Sequence, residues 1–204
     1  MKRFFLLALM LTQIVFAQEE PTKTKAFTTK HQFFLNLNYH YNFGDNFLSK
    51  ANSPSFAGIG IQYNMLKLNN FKAGIAYDFM NYKVTDKALG GNLNSTNYNS
   101  LALKIQYEQN LNSEWTVEPY TGIGQVMIQQ RSNGSGYGSF YGTSYYLGAN
   151  VTHKLTDRFS VYSGINYNFT SYNVKTAKEF EDFFQRSNQL QFSLGIIFTI
   201  PKKP

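Results

Sequence analysis

The chain has no cysteine, so neither a disulfide framework nor a thiolate metal site is open to it. Charge is scarce as well, since only 15% of the 204 residues are Asp, Glu, Lys or Arg, and there is a single tryptophan. A charged disordered segment is excluded by that share and by the 43% of apolar residues, with Tyr and Phe supplying nearly all of the 17% aromatics. After residue 17 no apolar run approaches the ~18 residues that a membrane-crossing helix needs. Basic clusters are missing too. Without Lys2 and Arg3 the 19 basic residues become 17, set against 12 acidic ones. Lys23, Lys25, Lys30, Lys202 and Lys203 are scattered rather than gathered on one face, so no nucleic-acid partner is expected.

What is present begins with an export signal. Met1-Lys2-Arg3 is a short basic start, Phe4 to Phe16 is apolar apart from Thr12 and Gln13, and Val15-Phe16-Ala17 places small residues at the −3 and −1 positions of a cleavage site. Residues 1–17 are therefore expected to be removed, residues 18–30 to form a periplasmic lead-in, and position 18, a glutamine, to rule out lipid anchoring at the new N-terminus.

From His31 onward the sequence alternates with period two. Phe33, Leu35, Leu37, Tyr39, Tyr41 and Phe43 occupy one parity, and Phe34, Asn36, Asn38, His40 and Asn42 the other, as in a half-buried strand. Seven further segments repeat it, starting near Ala57, Phe71, Leu101, Trp115, Tyr145, Phe159 and Leu190. In the Trp115 segment the phase blurs after Ile123, where Gln125 takes an apolar position, and a β-bulge is expected there. Connections alternate short and long. Lys67–Asn70, Asn110–Glu114 and Leu155–Arg158 read as tight turns, whereas residues 44–55, 81–98, 130–141 and 173–188 read as long loops. An antiparallel up-and-down sheet puts all long loops at one end, which predicts an all-β, eight-stranded antiparallel barrel over residues 31–200 with a four-residue tail, 201–204.

The faces decide which kind of barrel. Gly58, Gly60, Gly74, Gly122, Gly124, Gly148, Gly164 and Gly195 share a parity with Asn36, Gln62, Lys72, Asp78, Lys104 and Glu108. A lumen enclosed by eight strands has room only for its own side chains, so glycines must sit beside Phe34, Tyr120, Tyr146 and Tyr162, and this mixed face is predicted inside. The opposite face is almost wholly Leu, Ile, Val, Ala and aromatic. Water penalises such a surface by ~25 cal/mol per Å², and lipid accepts it. Aromatics gather near strand ends in two predicted girdles: Phe33, Phe71, Tyr107, Trp115, Phe159 and Phe198 toward the turns, and Tyr41, Phe43, Phe79, Tyr145, Phe169 and Phe192 toward the loops.

In this alternation, in its loop asymmetry and in the stretch Pro119-Tyr120-Thr121-Gly122-Ile123-Gly124, the chain resembles the small eight-stranded bacterial outer-membrane barrels, the OmpA transmembrane domain, OmpX and OmpW. The resemblance implies a Gram-negative outer-membrane location, lipid and lipopolysaccharide around the barrel, and an assembly machinery that reads a terminal aromatic. Phe198 is the nearest such residue, followed by Thr-Ile-Pro-Lys-Lys-Pro. Pro201 cannot donate to a strand ladder, so pairing is expected to stop there.

Chemistry is sparse. Lys72, Asp78, Lys104, Glu108 and Glu118 are predicted to form one paired charge network in the lumen, with Lys104 diagonal to Asp78, because a lone buried charge is costly. Asn38, His40 and Asn42 are expected to line the lumen near its loop-side mouth. Two loops carry candidate contact residues: Tyr137 and Phe140 in a flexible Gly/Ser-rich tip, and Phe180, Phe183 and Phe184 on a short helix from Thr176 to Gln185 opened by a Thr176…Glu179 capping box. No hydroxyl, base and acid stand together, and no metal-ligand or cofactor motif occurs. The expected function is a non-catalytic surface-interaction or structural role through the loops, with an unidentified surface or secretion partner. The alternatives are a narrow gated channel and a lipid A-modifying enzyme using His40.

Overall fold

The structure, a computed structural model, describes residues 27–133 and 135–200. Its strands are β1 (Phe27–Phe43), β2 (Asn52–Pro54), β3 (Gly58–Leu68), β4 (Phe71–Val84), β5 (Ser95–Tyr107), β6 (Gln109–Asn110), β7 (Trp115–Ser132), β8 (Ser135–Lys154), β9 (Phe159–Asn173) and β10 (Arg186–Thr199). Eight of them close a ring in the order β1-β3-β4-β5-β7-β8-β9-β10, every neighbour antiparallel, with β10 returning to β1 through Phe33↔Phe198 to Phe43↔Asn188. The short β2 pairs with the end of β4, and β6 with the start of β7. Short helices lie in the loops: α1 (Phe47–Lys50), α2 (Lys87–Gly90), a 3₁₀ turn (Lys178–Phe180) and α3 (Glu181–Gln185). The fold is a transmembrane β-barrel of the expected up-and-down kind. β1 starts four residues before His31, and the proposed signal peptide and C-terminal tail lie outside the described residues.

The period-two pattern reaches three dimensions intact. Gln32, Phe34, Asn38 and His40 point into the barrel while Phe33, Leu35, Leu37, Tyr39 and Tyr41 point out. Leu103, Leu147 and Leu194 are 63%, 66% and 68% exposed, part of an outward apolar surface around the barrel. Soluble monomers rarely expose contiguous apolar patches above a few hundred Å². The belt has the right height for lipid. Phe33 and Tyr41 are eight residues apart on β1, and Phe159 and Phe169 ten apart on β9. At ~3.4 Å per residue and a tilt of roughly 40°, these spacings correspond to about 21 and 26 Å, bracketing the roughly 25 Å apolar band of such barrels. Phe33 stacks on Tyr63 at 4.5 Å, Phe71 meets Tyr107 at 5.1 Å, Phe159 meets Phe198 at 5.2 Å and Trp115 stacks on His153 at 4.4 Å, so the turn-side girdle is built from cross-strand ring pairs.

The glycines fill the role expected of them. A Cβ on Gly148 would lie 2.7 Å from the Tyr120 ring, and one on Gly60 would collide with Asn36 Oδ1, so the large inward side chains occupy the space the glycines vacate.

Three expectations are corrected. No bulge interrupts β7 at Gln125, which stays in register with Leu101 and Thr143; the irregularity falls at Gln130/Arg131. Gln125 lies one outward position beyond Ile123 toward the loops and points outward with its neighbours, so the polar residue sits on the outer face without a break in phase. Residues 130–141 do not form a loop either. β7 and β8 continue as a hairpin to Ser132 and Ser135, with Asn133 in the left-handed region (φ 50). Gly134 follows it in sequence, and Asn-Gly is the pair that two-residue hairpins favour. The segment 176–185 is a 3₁₀ turn followed by α3, and the Thr176…Glu179 capping box does not form, because Ala177 occupies the cap position without a side-chain bond. The capping box that does form opens α1. Asn46 accepts from Ser49 N at 3.1 Å, and Ser49 Oγ accepts from Asn46 N at 3.4 Å.

Candidate functional site

The lumen is layered from the turn end to the loop end. Lowest is an ion cluster in which Lys72 bonds Glu118 and reaches Glu108 Oε2 at 3.3 Å, while Lys67 bonds Glu108 Oε1 at 2.5 Å. Lys72 also donates to Gln32 Oε1 at 3.1 Å. Lys72, Glu108 and Glu118 are buried, and their pairing offsets the desolvation that each would otherwise suffer. Lys67, at the end of β3 and outside the predicted set, joins this cluster because the β3–β4 turn brings it over the lumen.

Above this lies an amide and carboxylate layer. Asp78 Oδ1 accepts from Asn38 Nδ2 at 2.7 Å and from Gln191 Nε2 at 3.1 Å, and Ser193 donates to Asn38. Lys104 does not complete an ion pair with Asp78, contrary to the predicted single network. Among the described residues no carboxylate lies within salt-bridge distance of it, and its ammonium sits 5.1 Å from the Tyr120 ring centre and 5.7 Å from that of Tyr146. Three of the five predicted charges therefore meet directly, one is held by amides, and one is held by aromatic faces.

Next comes His40. Its Nδ1 shares a hydrogen bond with Tyr82 Oη at 2.7 Å, its ring stands edge-on to Tyr98, and Gln189 bridges Tyr82 to Asn42. The lumen is not open here. Asn38 and His40 are buried beneath an apolar plug of Phe47, Leu48, Ala51, Met80, Tyr82, Tyr98, Val126, Ile128 and Tyr172. Of the predicted polar mouth, Asn38 and His40 are thus a sealed interior layer and Asn42 is half-buried, because α1 folds Phe47 and Leu48 down into the barrel. Burying each of these two side chains contributes about 1.5–3 kcal/mol.

Over the plug the loops enclose a cleft of about 1150 Å³. All five predicted contact residues line it: Tyr137 and Phe140 from the β7–β8 hairpin, Phe180, Phe183 and Phe184 from the last loop. Phe47 packs on Phe184 at 5.1 Å and on Phe140 at 6.1 Å, so the cleft floor rests on the plug. Asp45, Lys50, Lys175 and Glu179 stand around it, and none makes an ion pair among the described residues. One wall is also a free sheet edge. β8 pairs with β9 only from Tyr141↔Asn173 onward, which leaves Ser135–Phe140 paired to β7 alone. Sequence reasoning missed this edge, since residues 130–141 read as a loop.

At the turn end a smaller cavity of about 370 Å³ opens below the ion cluster. Among the described residues no group of three or more His, Asp or Glu is placed to hold a metal ion.

A closed eight-stranded ring, an apolar belt and a packed polar lumen together define the small transmembrane barrels. Neither a protein-family model nor a curated protein matches this chain. Solved structures do. A major outer-membrane protein from Thermus thermophilus is similar over 85% of this chain and 100% of its own, with 12% identity and a TM-score of 0.57. Neisserial surface protein A is similar over 85% of this chain and 99% of its own, at 14% identity and a TM-score of 0.53. The N-terminal barrel domain of Pseudomonas aeruginosa OprF matches over 85% and 100%, at 11% identity and a TM-score of 0.50. At these identities the likeness establishes the architecture.

Proposed function

We propose that the protein is a non-catalytic barrel of the bacterial outer membrane that binds an extracellular partner through the cleft at its loop end. The observation that carries this reading is the contrast between the two parts of the molecule. The lumen is closed by an ion cluster, an amide layer and an apolar plug, while aromatic side chains from two separate elements converge on an open cleft with an unpaired strand edge as one wall. In barrels of this kind long loops lie outside the cell and short turns in the periplasm. Lipopolysaccharide then surrounds the loop-side aromatics, and the assembly machinery meets the turn-side row that includes Phe198. The similar solved structure from Thermus thermophilus, a major outer-membrane protein by name, supports the location.

An extended polypeptide suits the cleft, because a free edge offers main-chain hydrogen bonds and the neighbouring aromatics offer side-chain pockets. The test is quantitative capture from surface and secreted fractions by the nanodisc-embedded barrel, comparing the parent with Tyr137→Ser/Phe180→Ser. Both residues are exposed, at 77% and 50%, so folding is preserved. A partner whose capture falls at least tenfold in the double variant supports the proposal, and indistinguishable capture refutes it. The channel alternative predicts steady conductance in planar bilayers; the plugged lumen predicts none.

A further inference from the structure

We propose that the cavity at the periplasmic mouth is a binding site for a linear organic polycation, a polyamine in chemical class, unconnected with the extracellular cleft. Among the described residues four carboxylates line its roughly 370 Å³, Glu108, Glu114, Glu118 and Asp157; Lys154 is the one cation in the lining, and Lys67 and Lys72 pair with Glu108 and Glu118. Lys154 is engaged by Asp157 at 2.6 Å, and Glu114 forms no ion pair among the described residues. The remaining walls are almost entirely hydroxyls and amides. Among the described lining residues Ile197 is the only large apolar side chain and none is aromatic, so these walls offer neither the stacking surface that a sugar uses nor the apolar wall that an acyl chain uses.

An acidic lining alone would be no more than a solvated rim. Two buried acceptors at its inner wall make it a site. Glu118 is 3% exposed and its Oε1 is taken by Lys72, while its Oε2 has no hydrogen-bond partner. Thr152 is 7% exposed, and its Oγ1 has none either. Leaving such groups unmet is costly, so the inner wall is short of donors just where the walls are rich in acceptors. A primary ammonium supplies three donors and a positive charge. No arrangement of three acidic or histidine ligands among the described residues suits a metal ion, which leaves a chain of ammonium groups as the matching chemistry: one end at the Glu118 and Thr152 wall, the next toward Glu114 at the rim.

The experiment is isothermal titration of the nanodisc-embedded full chain with spermidine, with magnesium at equal ionic strength as the comparison. Saturable binding of one spermidine per barrel, with magnesium at least tenfold weaker, is expected. Glu114→Gln should weaken binding several-fold and Thr152→Val about threefold or more. Glu118→Gln should weaken it at least tenfold, provided the variant still shows the heat-modified gel shift of a folded barrel; Glu114→Gln, on an exposed turn, keeps the test sound if Glu118→Gln does not fold. Absence of saturable binding overturns the proposal, as does equal affinity for magnesium, which would mark simple counterion attraction. A variant with Lys202 and Lys203 both changed to Gln closes the remaining route: spermidine binding that appears only in that variant would make the chain's own lysines the occupant and overturn the assignment to an external polycation.

Discussion

Replacing Lys72 by Met keeps length and volume but removes the cation on which the lower lumen depends. Lys72 contacts Glu118, reaches Glu108 Oε2 at 3.3 Å and donates to Gln32 at 3.1 Å. Glu108 keeps Lys67 at 2.5 Å, so the stranded charge is mainly that of Glu118, which has no other cation within reach among the described residues. Breaking a buried pair from one side costs about 3–5 kcal/mol. Loss of the Gln32 bond adds about 1 kcal/mol, and water entering from the turn-end cavity gives part of this back, so a net loss of about 3–4 kcal/mol is expected. In Lys72→Met/Glu118→Gln the stranded charge is gone, and the loss should shrink to about 1–2 kcal/mol, since replacing both members of a buried pair is far milder than removing one. The assay is reversible urea unfolding in phospholipid vesicles, followed through the single tryptophan, Trp115. The reasoning fails if Lys72→Met unfolds within about 0.5 kcal/mol of the parent, or if the double variant is less stable than Lys72→Met.

Four further outcomes follow. Gly148→Ala should cost about 1–3 kcal/mol, because its Cβ would fall 2.5 Å from the Ile165 carbonyl and 2.7 Å from Tyr120; Gly164→Ala should cost under about 1 kcal/mol, since its nearest obstacle is the movable Asn150 amide tip, and the same urea titrations rank the two. Leu48→Ala should cost about 2–5 kcal/mol and strip amide-exchange protection from the loops while the strands of the belt stay protected. Lys154 holds the exposed Asp157 carboxyl below its usual value, so any stability it adds is present above about pH 4 and is lost as pH falls through the lowered value; Lys154→Gln should raise the Asp157 titration seen by NMR, with no change in unfolding midpoint at neutral pH. His40→Ala should leave the lipid A mass spectrum unchanged, since His40 is buried beneath the plug and bonded to Tyr82; an altered spectrum would revive the lipid-modifying reading.

The parity of each strand was legible in the sequence because side chains alternate strictly and one misplaced residue would put a charge into lipid. Phe33, Leu35 and Leu37 point out, and Gly60, Lys72 and Tyr120 point in, as the alternation requires. What fills the lumen at each height along the barrel axis was not legible, for parity carries no information about it. Inward at Lys72 means a polar cluster near the turn end, whereas inward at Val126 and Ile128 means an apolar core near the loop end. The hairpin beyond Gln125 and the α1 turn that carries Phe47 were signalled only by Asn133-Gly134 and by Asn46…Ser49, both short local codes, the first set in a Gly/Ser-rich stretch. Lys104 was misplaced for a different reason. Pairing logic counts charges and finds Asp78, but Tyr120 and Tyr146 flank the ammonium on the barrel wall, and a ring face accepts a cation without a carboxylate. The cleft lies above the loop-end plug, where the inward side chains of Met80, Val126 and Ile128 gather into an apolar cluster while the strands still stand together.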